Sequence, residues 1–141
     1  MTEARWSLHP QLENDTAVVG DFPLSRVLAI NAAEYPWLIL VPRRAGVIEI
    51  ADLGGDATRL MEEILLASQI LKDVTRCDKL NIAAIGNVVP QLHVHIVARR
   101  KDDPLWPKPV WGTAQPRPGD AAAFDRLIAA ICDRLGLSAV G

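Results

Sequence analysis

Two histidines, His93 and His95, stand at alternate positions in the stretch from Gln91 to Val97. The residues that separate them are apolar, which is the period-two pattern of a β-strand with one polar and one apolar face: Leu92, Val94 and Ile96. Both imidazoles therefore point the same way, roughly 6.6 Å apart along the strand. At that spacing both can contact one small anion such as a phosphate. A strand with two surface histidines needs no function, however, so the dipeptide pattern alone is a weak signal.

A zinc site is a second interpretation, because neutral imidazoles at alternate strand positions can bind Zn²⁺. A third ligand is hard to identify in this chain. Gln91 is a poor zinc ligand, Cys77 and Cys132 lack the spacing of a zinc motif, and His9 lies in a predicted N-terminal loop. We therefore expect no metal and no other cofactor.

The surroundings of the two histidines resemble the histidine triad (HIT) family, whose signature alternates three histidines with apolar residues. His93 and His95 match the second and third of these, and Gln91 takes the place of the first. The resemblance extends over residues 20 to 112. It includes the segment 38–44, which resembles a family strand that ends in proline and basic residues, and the loop 86–89 before the histidines.

The resemblance implies a hydrolase or nucleotidyl transferase that cleaves a phosphoramidate or phosphoanhydride bond at the α-phosphate of a nucleotide. His93 matches the family's nucleophile, which forms a nucleotidyl-histidine that water later cleaves. One ring nitrogen of His93 must then bond a fixed acceptor, most simply a main-chain carbonyl, so that the other can attack. His95 would bond a phosphate oxygen or assist proton transfer. Gln91, the third expected catalytic residue, can donate a hydrogen bond but cannot titrate.

Five further residues are expected to contact the nucleotide by the same resemblance: Asn31, Asn81, Gly86, Asn87 and Val88. Asn31 would bond the ribose hydroxyls, although a turn residue is an equal interpretation of it. Gly86 lets the backbone approach a ligand closely or adopt positive φ, and Asn87 offers an amide. Val88 stands where family members often carry a hydroxyl. Together with Gln91, it makes a catalytically weakened nucleotide-binding protein the alternative function.

Composition limits the remaining possibilities. The chain has 141 residues with a formal net charge of -2, which suits a single domain of residues 1–141 and gives no basic surplus for general nucleic-acid binding. The sequence has no signal-like N-terminus and no long apolar run, so we expect no membrane partner. Two separated cysteines fit a reducing cytoplasm. The expected partners are a purine nucleotide or nucleotide conjugate and, by the resemblance, a second copy in a homodimer.

The hydrophobic pattern predicts an α+β fold. The resemblance implies the same class, as a HIT-like antiparallel β-sheet with one long helix and a C-terminal helix packed against it. The long helix is predicted over 57–76, with Asp56 as its N-cap, from apolar residues at intervals of four and three. Trp106 and Trp111, in a proline-rich tail, either cover a nucleobase or pack against the body of the protein. The other predicted segments are an N-terminal arm over 1–19, strands over 25–31, 37–41, 47–51, 79–86 and 90–100, the tail over 101–119 and a helix over 120–136.

Overall fold

The computed structural model describes residues 5–112 and 117–140. The first four residues of the predicted arm, residues 113–116 of the predicted tail and the last residue lie outside the described part. The elements follow one another as α1 (Pro10–Asp15), β1 (Ala17–Asp21), β2 (Ser25–Ile30), β3 (Trp37–Pro42), a 3₁₀ turn (Ile50–Leu53), α2 (Asp56–Thr75), β4 (Lys79–Ala83), β5 (Val94–Arg99) and α3 (Ala121–Leu135).

The five strands form one antiparallel sheet in the order β1-β2-β3-β5-β4. Short connections join β1 to β2 and β2 to β3, as expected for neighbouring antiparallel strands. The chain then crosses one face as α2 before β4 and β5 complete the sheet. The predicted α+β class is confirmed.

One face of the sheet is covered by the two longer helices. α2 carries the predicted apolar stripe, and its buried members include Leu60, Ile64, Ala67 and Leu71. Asp56 is the first residue of this helix rather than its N-cap, which is Gly55. α3 packs beside α2 through the buried Ile131 and ends at Gly136, whose φ of 59° suits glycine. These contacts form the larger hydrophobic core.

The opposite face, which carries His93 and His95, is also covered, so the predicted division of this strand into an apolar and a polar face does not make its second face exposed. Leu12 of α1 and Val110 of the tail pack there against Trp37, Ile39 and other buried side chains of the sheet. As a result all six residues of β5 are buried. The alternating pattern correctly placed the histidines on one face, but it contained no information about the distant segments that cover that face.

One predicted strand is absent and two others are shorter than predicted. The segment 47–51 is not a strand: Ile50–Leu53 forms the 3₁₀ turn, because Glu49 and Asp52 bond each other's backbone N–H groups in a capping box. The strand predicted over 79–86 ends at Ala83, and the histidine strand begins at Val94. His93 therefore lies immediately before its strand.

A buried cation fixes the start of the tail. Arg99, which is 1% exposed, donates two hydrogen bonds to the carboxylate of Asp103 and one to Oδ1 of Asn81. Its guanidinium also lies over the rings of Tyr35 and Trp106. These contacts direct the chain after β5 back across the histidine face and so bring Trp111 to the site.

Candidate active site at the start of β5

His93 is oriented by the main chain two residues before it. Its Nδ1 lies 2.7 Å from the carbonyl oxygen of Gln91. A carbonyl can only accept, so Nδ1 carries the proton and donates it, and the lone pair of the imidazole is on Nε2. The main-chain acceptor expected from the sequence is therefore present. The side chain is 7% exposed.

His95 is fixed in the opposite tautomer by Trp37. The indole Nε1 of Trp37 donates to Nδ1 of His95 over 3.0 Å, so the proton of the neutral ring is on Nε2. Burial, followed by the proximity of His93, lowers the pKa of His95 from 6.5 to about 4. His95 is consequently a neutral hydrogen-bond donor at pH 7. Nothing in the spacing of the motif indicated Trp37 as its partner.

Aromatic rings pack around His95. The rings of His93 and His95 are 4.9 Å apart between centroids and meet edge to face. Trp37 and Trp111 contact His95 at 5.8 and 5.5 Å, and these two tryptophans contact each other at 6.1 Å. Trp111 thus lies against His95, whereas Trp106 lies on Arg99 and is part of the structural support.

A small cavity of about 20 Å³ adjoins His93. Its lining includes Gly86, Ile85 and Glu49. Gly86 has a φ of 66°, and a positive φ is one of the two uses expected of a glycine in this loop. Asn87 and Val88 follow it on the exposed part of the loop, and Val88 is 79% exposed.

The side chain of Gln91 faces the N-terminal arm. Its Oε1 accepts from the backbone N–H of His9 over 2.8 Å, and its Nε2 donates to the carbonyl of Ser7 over 2.9 Å. Both ends of the amide are therefore used by the arm. The imidazole of His9 has a separate role, since its Nδ1 accepts from the N–H of Gln11 at the start of α1.

The family model of the HIT domain matches residues 11–102 of this chain. The chain belongs to the HIT family. A histidine triad protein from Bradyrhizobium japonicum is 54% identical, with a TM-score of 0.90 over 93% of this chain and 98% of that one. A histidine triad protein from Sinorhizobium meliloti is 39% identical, with a TM-score of 0.88 over 92% and 96%.

More distant HIT proteins share the fold alone. A hypothetical histidine triad nucleotide-binding protein from Sulfolobus tokodaii is 18% identical, with a TM-score of 0.65 over 88% of this chain and 86% of that one. No curated protein sequence matches this chain.

Two of the expected nucleotide contacts are not grouped with the imidazoles in this HIT protein. Asn31 lies past the end of β2, where its amide bonds the backbone N–H and carbonyl of Gly119 before α3. The strand register sets Leu28 level with His95, so Asn31 lies about 10 Å farther along the sheet. Asn81 bonds Arg99.

The described residues of this HIT protein contain neither a candidate metal site nor a membrane-spanning helix. In that part of the chain, no group of three or more His, Cys, Asp or Glu side chains could hold a metal ion. No helix there is long and apolar enough to cross a membrane.

Proposed function

We propose that this HIT protein is a nucleotide hydrolase or nucleotidyl transferase that cleaves a phosphoramidate or phosphoanhydride bond at the α-phosphate. The observation that supports this most directly is the contact between Nδ1 of His93 and the carbonyl of Gln91. In the neutral ring it places the lone pair on Nε2, as a nucleophilic imidazole requires. Membership of the HIT family and the nucleotide-binding description of the Sulfolobus tokodaii protein favour a nucleotide as the substrate.

In the first step, Nε2 of His93 attacks the α-phosphorus. An N–P bond forms, and the leaving group departs with the electron pair of the bond that breaks. Nδ1 keeps its proton and its hydrogen bond to the carbonyl of Gln91. This bond stabilises the positive charge of the substituted imidazole. Water then attacks the phosphorus, the N–P bond breaks, and Nε2 regains its lone pair as the mononucleotide leaves and a proton passes to solvent. If a group other than water attacks the phosphorus in this second step, the reaction is a nucleotidyl transfer.

His95 stabilises charge in this scheme and does not act as an acid. With Trp37 bonded to Nδ1, its Nε2–H is free to donate to a non-bridging phosphate oxygen. Because its pKa lies near 4, His95 carries no second proton to give to a leaving group at pH 7. Of the two roles expected from the sequence, the hydrogen bond to phosphate is therefore favoured.

The nucleotide contacts complete the proposal. Gly86, Asn87 and Val88 belong to the loop beside the cavity at His93, and their backbone groups are suited to bond phosphate oxygens. Asn31 and Asn81 remain proposed contacts. Each would have to share its amide with its present partner, the backbone of Gly119 or the guanidinium of Arg99.

Trapping the covalent intermediate tests the proposal. The protein is mixed with adenosine 5′-phosphoramidate or diadenosine polyphosphate, quenched at alkaline pH to preserve the N–P bond, and analysed by peptide mass spectrometry. We expect an adenylyl group on the peptide that contains His93 and none with His93→Ala. His9→Ala is the matched control, because its imidazole caps α1. It should be labelled as the wild type is. Nucleotide binding without adduct or turnover would contradict the enzymatic proposal.

We also propose that the protein forms a homodimer through α2 and β4. Met61 and Leu65 on α2 and Ile82 on β4 are 54%, 62% and 48% exposed. α2 packs over β5, the neighbour of β4, so these residues lie on one side of the molecule. β4 has no partner strand on its outer edge in the described part of the chain, and such an edge can pair with a second copy.

Sedimentation velocity tests this interface. Leu65→Lys should yield monomers at concentrations where the wild type is dimeric. Val18→Lys is the matched control, because Val18 is 44% exposed but lies on β1, at the opposite edge of the sheet from β4, and it should leave the dimer intact. A monomeric wild type would refute the proposal.

A further inference from the structure

The side-chain amide of Gln91 bonds the arm as a neighbouring strand would. In an extended chain, the carbonyl of one residue and the N–H of the residue two positions later point to the same side. The carbonyl of Ser7 and the N–H of His9 have this relationship, and Gln91 bonds both. An amide is suited to this task because it holds a donor and an acceptor side by side on one carbon. The nitrogens of an imidazole point in divergent directions.

The arm that Gln91 holds, residues 6–9, crosses the histidine face of the sheet. Trp6 stacks on the guanidinium of Arg26, 5.1 Å from it, and Arg26 is paired with Val41 on β3. Trp6 and Leu8 pack against the buried cluster on the same face. Since β3 lies between β2 and β5, the arm spans the sheet from Arg26 to Gln91, beside His93.

Trp6 shows that the arm closes tightly over this face. Its indole nitrogen is buried and has no hydrogen-bond partner among the described residues. An unpaired buried donor destabilises the closed position of the arm. The two hydrogen bonds from Gln91 are contacts that offset this cost.

We propose that Gln91 is a positioning residue, which holds the N-terminal arm across the His93 end of the site so that the arm forms a wall for the bound nucleotide. This rests on the proposed function for its kinetic consequence. The amide of Gln91 does not contact the reacting atoms, because both of its ends are occupied by the arm. The wall contacts substrate and transition state alike, so its loss should raise KM and leave kcat nearly unchanged.

The two hydrogen bonds between Gln91 and the arm form a latch, and hydrogen exchange measures this latch without reference to catalysis. Gln91→Leu keeps the size of the side chain but removes both hydrogen bonds, so we expect the amide of His9 to exchange at least tenfold faster. Gln69→Leu is the matched control: Gln69 bonds Asp73 on the exposed face of α2, and its loss should leave the arm and the activity unchanged. Unaltered exchange in Gln91→Leu would overturn the proposal.

A pair of substitutions at His9 isolates one of the two bonds. His9 has a φ of -56°, which proline also adopts. His9→Pro therefore keeps the backbone conformation but removes the N–H that donates to Oε1 of Gln91. His9→Ala keeps that N–H. Both variants lose the imidazole cap of α1, so the difference between them reports the latch. We expect higher trypsin sensitivity after Arg5 and a higher KM only in His9→Pro.

Steady-state kinetics with adenosine 5′-phosphoramidate and diadenosine polyphosphate then separate a positioning role of Gln91 from a catalytic one. We expect KM to rise about tenfold in Gln91→Leu, with kcat within threefold of the wild type. In the His9→Pro background, Gln91→Leu should have a smaller effect, because the two changes break the same contact. A hundredfold fall in kcat in either background would overturn the positioning role. If the wild type turns over no nucleotide, the proposed function fails, whereas the exchange comparison still decides the latch.

Discussion

Trp37 and His95 form the hydrogen bond that decides the tautomer of the second site histidine. The indole Nε1 and the imidazole Nδ1 are 3.0 Å apart, and both side chains are buried. Trp37 begins β3 and is paired with Val97 of β5, so its ring reaches back by two residues along the neighbouring strand. The bond leaves His95 with a hydrogen on Nε2, whereas Nε2 of His93 has a free lone pair.

Removal of that donor should impair both stability and rate. Trp37→Phe leaves Nδ1 of His95 buried without a partner, which should lower the free energy of unfolding by about 1–3 kcal/mol. The ring is then free to adopt the other tautomer, so kcat should fall about tenfold. Urea denaturation and steady-state kinetics measure the two effects.

Trp111→Phe is the comparison for stability, because the indole nitrogen of Trp111 is buried without a partner among the described residues. Its loss removes no hydrogen bond, and phenylalanine keeps an edge-to-face contact with His95. An equal loss of stability in the two variants would show that ring size, and not the bond to His95, is responsible.

The lowered pKa of His95 predicts a pH dependence of stability. The unfolded chain binds a proton on His95 near pH 6.5, whereas the folded chain does so only near pH 4. Stability is therefore fully present above pH 6.5 and is lost as the pH falls from 6.5 towards 4, on the order of 3 kcal/mol. His95→Gln cannot bind this proton, so its unfolding free energy should vary less over the same range. Parallel curves for the two proteins would contradict the prediction.

Glu63 should be essential to the link between α2 and the sheet. This carboxylate is 2% exposed and accepts from the backbone N–H groups of Leu24 and Ser25, both over 2.9 Å. Glu63→Gln replaces one acceptor oxygen with a donor that faces an N–H, so unfolding should become easier by about 2–3 kcal/mol. The adjacent Glu62→Gln is the control, because its side chain is 63% exposed. Equal melting temperatures for the two variants would refute the role of Glu63.

The ion pair of Arg99 and Asp103 should behave as a buried one. The two side chains are 1% and 2% exposed, and the hydrogen bond from Arg99 lowers the pKa of Asp103 despite its burial. Asp103→Asn leaves an uncompensated buried guanidinium, which should cost about 3–5 kcal/mol. Chemical denaturation measures this loss.

The exposed pair of Arg44 and Asp56 provides the contrast. Its atoms are as close, 2.7 Å, but the side chains are 46% and 39% exposed. Asp56→Asn should therefore cost about 1 kcal/mol or less. A comparable loss at both sites would show that burial does not govern the contribution of the Arg99 pair.

Local patterns determined much of the architecture in advance. The intervals of four and three along α2, and the alternation from Gln91 to Val97, depend only on the periods of helix and strand. They therefore indicated the packed face of α2 and the common direction of His93 and His95 before any tertiary contact was known. The carbonyl of Gln91 was also within reach of such reasoning, because it lies two residues from the imidazole that it orients.

Contacts between distant segments decided the rest. Trp37 lies 58 residues from His95 along the chain, and Ser7 and His9 lie 84 and 82 residues from Gln91. No period links such positions, so the tautomer of His95, the occupied amide of Gln91 and the burial of the histidine face could not be predicted from spacing. The sequence by itself determined that His93 and His95 share one face of the sheet, because strand alternation is local. Only the packing of the arm, β3 and the tail on that face decided the tautomer of His95 and the partners of Gln91.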